Sequence, residues 1–263
     1  MAAPLPQEEA AQFFRELQEM DASDSIRMDG IIGMRVRTTR LLNLDKINPI
    51  LGYTVLAYIA YLLGDRRECM AMLEKAFSFG TAGNFWYLCA LKYHRHMGMP
   101  REGMKLAREV LRLFPDDLDA LYQAAIFSTA FAEINLSKAF MAQIDKLSVN
   151  GKLDRIKSLQ KVSELTSSRI ARLRVSEDYV IVRLESAIGA VRNAGYEIRR
   201  LDQLTLNDGT FITRLYVDAT IEQCSFLNFT IAEKLISEFE DSGIDLFSVT
   251  CLPLDYFETE APN

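Results

Sequence analysis

The sequence predicts an α+β protein in two parts. An all-α helical repeat array fills most of the first two-thirds, and a small α+β domain follows. Three observations predict this. Apolar residues between positions 49 and 151 recur at helical spacing, and the pattern repeats after 34 residues. Further on, Asn207-Asp208-Gly209 separates two alternating runs, which a helical stretch and a third such run then follow. The composition is that of a globular chain: 263 residues, 49% hydrophobic, 25% charged, with only 13 Gly and 7 Pro. Disorder and low-complexity polymers are thereby excluded. The expected divisions are N-terminal helices over 1–48, repeats over 49–151, a basic connecting helix over 152–175 and the α+β domain over 176–263.

The first elements follow from spacing and caps. Pro6 to Met20 puts Phe13, Phe14, Leu17 and Met20 on one side of a helix, with Glu8, Glu9, Glu16 and Glu19 mostly elsewhere. Asp21 to Asp24 breaks that helix and offers caps for the next. Ser25 to Lys46 reads as helical although Gly30 and Gly33 weaken it, and Arg27, Arg35, Arg37 and Arg40 make it locally basic.

The repeat begins near Pro49. GDRRECMAMLEKAF, starting at Gly64, aligns with GMPREGMKLAREVL, starting at Gly98, 34 residues later. Each glycine follows an apolar helix and precedes a charged turn and a second helix. A further shift of 34 reaches Ala132 and places Leu121 under Tyr87, Ala124 under Ala90 and Ile144 under Val110. Two helices per 34-residue unit is the signature of a helix-turn-helix array.

On these residues the chain resembles the tetratricopeptide repeat family. In the copy from Asn84 to Asp117, Gly98 matches the inter-helix glycine and Gly103 replaces the small alanine where the two helices approach. Val110 and Leu111 match the second helix, and Pro115 the terminal proline. Leu91 and His94 depart from the family pattern. The copy from Ile50 to Gly83 lacks the terminal proline, and the copy from Leu118 to Gly151 is degenerate, with Asp145 at an apolar place. The resemblance implies a protein-binding groove lined by the first helix of each pair. Carried over by position, it marks Leu51, Thr54, Tyr58, Tyr61 and Leu62, then Phe85, Leu88, Lys92, Arg95 and His96, then Asp119, Tyr122, Ile126 and Thr129. Tyr58, Tyr61, Phe85, Leu88, Lys92, Arg95, His96 and Tyr122 are the expected partner-binding set. The polar clamp that holds a C-terminal carboxylate in chaperone-binding relatives is not reproduced. A peptide or helix from a partner is one occupant for such a groove. Cover by the chain's own N-terminal helices is the other.

The connector and the C-terminal domain have opposite charge. Gly151 to Val175 holds seven basic residues against two acids, a balance of +5, while Asp202 to the end holds twelve acids against two bases, −10. Leu153, Ile156, Leu159 and Val162 mark one face of the connecting helix. In the domain itself, Val180, Leu184, Ile188 and Val191 have helical spacing, although VIVRL could open as a strand. Strands are expected over 196–206, 210–219 and 246–254, with a helix over 220–242 ended by Gly243. That helix should show Phe226, Phe229, Ile231, Leu235, Ile236 and Phe239 as its apolar face. The order is α-β-β-α-β, or a ferredoxin-like β-α-β-β-α-β. The first is similar in topology to the ring-building and dimerisation modules of bacterial secretion and pilus assemblies.

Catalytic motifs do not appear. His94 and His96 point about 200° apart on a helix and cannot share a metal. There is no phosphate-binding glycine loop, no dinucleotide fingerprint and no nucleophile elbow. Cys69, Cys89, Cys224 and Cys251 form no CxxC pair and read as buried reduced thiols, which fits a reducing compartment. No cofactor is therefore expected. The net charge of −6 disfavours a nucleic-acid partner, no apolar run reaches the roughly 20 residues of a membrane span, and no secretory signal is visible. The expected function is a cytoplasmic, non-enzymatic adaptor or scaffold, such as a secretion-type chaperone or assembly factor, that could oligomerise through the C-terminal domain. The competing expectation is a regulator whose C-terminal domain binds a small molecule or nucleic acid.

Overall fold

The computed structural model describes residues 5–22, 27–147, 153–176, 178–239 and 246–256. Two compact units divide the chain, 1–90 and 91–263, and the division falls inside a helix.

The first unit holds α1 (Pro6–Ala22), α2 (Met28–Asn43), α3 (Pro49–Leu62), α4 (Arg66–Ser78) and the start of α5 (Asn84–His96). Local chemistry sets the boundaries. Asn48 accepts a hydrogen bond from the Ile50 N–H and Pro49 occupies the first helical position, while Asp65 caps α4 through the Glu68 N–H. Gly52 brings α3 against α2, because a Cβ there would lie 2.5 Å from Leu42 Cδ2.

The second unit continues α5 and adds α6 (Pro100–Leu113), α7 (Leu118–Ala130), α8 (Ile134–Leu147) and α9 (Leu153–Leu173). The helix pairs keep the 34-residue interval seen in the sequence: α4, α6 and α8 begin at Arg66, Pro100 and Ile134. The turn before each is the same device. Gly64, Gly98 and Ala132 have φ of 73°, 59° and 61°. The N–H of the next residue closes the helix end, Asp65 on Ala60 O, Met99 on His94 O and Glu133 on Ser128 O, each at 2.9 Å. That six-to-one bond with a left-handed residue is the Schellman closure.

The rest of the second unit is α10 (Tyr179–Asn193), β1 (Ile198–Thr205), β2 (Phe211–Val217), α11 (Ile221–Glu238) and β3 (Phe247–Pro253). The sheet order is β1-β2-β3. Strands β1 and β2 form an antiparallel hairpin with Thr205 opposite Phe211, and β3 lies parallel to β2 with Cys251 opposite Leu215. The VIVRL segment is inside α10, so the order is α-β-β-α-β, and among the described residues no strand precedes that helix. Gly209 closes the hairpin at φ +83°, and a Cβ there would meet the Leu165 carbonyl of α9 at 2.5 Å. Thr220 and Gln223 form a capping box at the start of α11. Gly243 lies outside the described residues.

Two expectations need correction. The connecting helix turns its buried face to include Ser163 and Thr166 as well as Ile156 and Ile170. Helix α11 is apolar on two sides: Cys224, Leu227, Ile231 and Leu235 are buried, whereas Phe226, Phe229 and Ile236 stand exposed on the opposite side. The boundary expected at Gly151 lies outside the described residues. The α+β portion joins α6–α9 because α10 packs on the α5–α6 turn, with Ile188 against Gly98 and Arg101 Nε 2.8 Å from Glu185 Oε2.

Candidate functional site

Among the described residues no three His, Cys, Asp or Glu side chains are grouped to hold a metal ion. His94 is buried, with its ring edge-on to Tyr93. All four cysteines are free and buried. Burial, with Cys224 close by, pushes the Cys251 thiol up to about 12, and burial raises Cys224 as well. Neither is a thiolate at neutral pH, and the thiolate is the nucleophile. No described helix is long and apolar enough to cross a membrane.

The expected groove residues fall in both units. In the first, Tyr58 and Tyr61 come from α3, and Phe85 and Leu88 from α5. Helix α1 lies over the aromatic members. Ala10, Phe14 and Leu17, at i, i+4 and i+7, are fully buried. The Phe14 ring stacks on Phe85 with centroids 4.6 Å apart and sits 5.0 Å from Tyr58, which is itself 5.6 Å from Tyr61. The Tyr58 hydroxyl donates to Asp21 Oδ2 at 3.0 Å. Burial pushes that phenol well above its ordinary value, and the Asp21 carboxylate adds to the effect. Gln7 Oε1 accepts from the Asn48 N–H at 2.9 Å, and Arg37 Nε lies 2.9 Å from Glu9 Oε1. Tyr58 and Leu88 are buried, whereas Tyr61 and Phe85 are half-buried. The physical reason is that the N-terminal helix has its own apolar ridge to hide, and aromatic rings on α3 and α5 take it.

In the second unit, Lys92, Arg95 and His96 sit on the last turns of α5 and Tyr122 on α7, all half-buried. Arg95 and His96 lie in the last turn of α5, where the Arg95 charge favours the helix C-terminus.

Other surfaces escaped the sequence reading. On α4 and α5, Phe77 lies 5.3 Å from Trp86, and Phe79 stacks on Tyr53, with Phe77 and Phe79 exposed. On α2, Met28, Ile32 and Val36 stand exposed one turn apart. Helix α11 exposes Phe226, Phe229 and Ile236. A wheel at 100° per residue would have separated the two apolar sides of α11. What no wheel shows is which side the sheet covers. No family model, no curated protein and no solved structure matches this chain.

Proposed function

We propose that the chain is a non-enzymatic protein-interaction adaptor built on a tetratricopeptide-like array, whose groove takes an amphipathic helix. The observation that carries this reading is the seat of α1. Ala10, Phe14 and Leu17 enter the aromatic surface of α3 and α5 as a helical ligand would, with Asp21 engaging the Tyr58 hydroxyl at one end. A partner helix with the same i, i+4, i+7 anchors would exchange with α1. The 34-residue interval of helix starts and the repeated left-handed turn support the array. Four free, buried thiols support a reducing compartment such as the cytoplasm.

The test uses a labelled peptide with the sequence of residues 5–22 and the full chain carrying Phe14→Ala. Loosening α1 should raise peptide affinity about tenfold over wild type, since the competing intramolecular helix is weakened. The same peptide with Phe14→Ala should not bind. If the loosened chain misfolds, Asp21→Ala, which removes the contact to the Tyr58 hydroxyl, serves instead. A peptide that binds no form of the chain overturns the groove reading.

A further inference from the structure

Strand β1 is one margin of the sheet, since the strand order is β1-β2-β3. Two bonds fix which way its backbone groups point. The Leu206 N–H donates to Thr210 O and the Phe211 N–H to Leu246 O, each at 2.8 Å. Bonding alternates along an antiparallel ladder. Arg200, Asp202 and Leu204 therefore bond to β2, and Leu201, Gln203 and Thr205 turn their N–H and C=O outward. Among the described residues no backbone group takes those outward ones. The other margin differs, because α11 packs along β3. An open margin is a template for a further strand.

The side chains select the strand that fits. Leu201 is buried on the helix side of the sheet. Arg200 and Asp202 lie on the other side, opposite Tyr216 and Arg214 of β2. Two copies of β1 can lie antiparallel with their outward groups facing, about a two-fold axis at any of several residues. An axis at Arg200 sets that residue against its own copy, and an axis at Asp202 does the same for the acid. Like charges directly opposite are destabilising. An axis at Gln203 sets Asp202 against Leu204 and Arg200 against Leu206. Axes nearer the hairpin turn bring no opposite charges together within the strand. An axis at Leu201 sets Arg200 of each copy against Asp202 of the other, twice by symmetry.

That charged pair falls at the non-hydrogen-bonded position, where Cα atoms are about 4.5 Å apart and side chains meet most closely. The row across the joined sheet then reads Arg214, Asp202, Arg200, Tyr216, with the acid between two guanidinium groups. The register shift between Ile198 and Arg200 ends the pairing and keeps it short.

We infer that β1 pairs antiparallel with β1 of a second copy of this chain about a two-fold axis at Leu201, so that two three-stranded sheets become one. The contact uses the same surface from each copy and closes as a dimer. The inference stands apart from the groove occupied by α1.

Light scattering on the purified full chain tests it. The mass should rise with concentration to twice the 29.9 kDa of one chain and no further. Asp202→Arg sets Arg200 against a second arginine, and Arg200→Asp sets two acids together, so each should weaken association by about tenfold. The decisive arm mixes these two variants. Every opposed pair in the mixed dimer is again an arginine with an acid, so the mixture should regain wild-type association as a one-to-one complex. Circular dichroism checks that both variants fold. A second measurement needs no variant: in the wild-type chain the outward Leu201 amide should exchange more slowly as concentration rises, while the Asp202 amide, bonded to β2, should not change. A wild-type chain that is monomeric throughout overturns the inference, as do a mixture of folded variants that stays monomeric and a Leu201 amide indifferent to concentration.

Discussion

The tip of the Phe127 ring occupies the place where a side chain on Gly103 would begin: a Cβ built on Gly103 falls 2.0 Å from Phe127 Cζ. Helix α6 meets α7 through that gap, and both residues are buried. Two effects oppose each other in Gly103→Ala. Alanine favours the helix by about 1 kcal/mol, and overpacking a ring with no room to retreat costs about 1–3 kcal/mol. We expect net destabilisation by thermal melting. The double variant with Phe127→Leu should recover part of the loss, and a Gly103→Ala chain that melts higher than wild type would refute the close approach.

The three left-handed turns should respond unequally to alanine. Gly64 has φ +73° and open space around its Cβ position, so Gly64→Ala should lose about 1–2 kcal/mol through backbone strain alone. Gly98 has φ +59° with Ile188 Cδ1 2.5 Å from the same position, so Gly98→Ala should lose more and should loosen α10. Ala132 already carries that strain at φ +61°. Ala132→Gly relieves it but gives up a buried methyl worth about 0.8 kcal/mol, leaving a small net change. Denaturant titration of the three variants gives the ranking.

Asn228 on α11 uses both ends of its amide on one residue of β3. Its Nδ2 donates to the Cys251 carbonyl at 3.2 Å and its Oδ1 accepts from the Cys251 N–H at 2.6 Å. Asn228→Ala should lower stability by about 2 kcal/mol, since two part-buried hydrogen bonds go. Asn228→Asp keeps the acceptor and loses the donor, so it should fall between. Hydrogen exchange at the Cys251 amide should accelerate in the alanine variant and stay slow in the aspartate one.

Tyr58 sets a pH dependence with a definite sign. Its pKa is raised in the folded chain, first by burial and then by Asp21, so the neutral phenol is the form that folding favours. That contribution is complete below 10.0, the ordinary phenol value, and is lost as pH rises toward the folded pKa. Tyr58→Phe should lose about 1 kcal/mol at pH 8 with the hydrogen bond to Asp21. The difference from wild type should shrink or reverse near pH 11. A gap between the two chains that is independent of pH would contradict the buried, acid-facing phenol.

Much of the fold was legible because it rests on local rules. The 34-residue interval marks six helices and their turns, and the glycine at 98 announces its own backbone angle. Asn207-Asp208-Gly209 places the hairpin within a residue or two of where β1 ends and β2 begins. The unread parts depend on what packs against what. Phe226 and Leu227 are adjacent and both apolar, yet one is exposed and the other buried, because the sheet approaches α11 from one side only. Ser163 and Thr166 look like surface residues in sequence and lie in the buried face of α9. Tyr58 reads equally well as a groove anchor or a core ring, and only the position of α1 decides between them.

The Asn228 amide has a consequence for how copies of this chain can join. A side-chain amide has the same donor and acceptor as a peptide unit, so at Cys251 it stands where the backbone of an added strand would pair. The β3 margin is thus stoppered at its middle by the protein's own helix, and growth of the sheet from that margin would first have to pull the amide out.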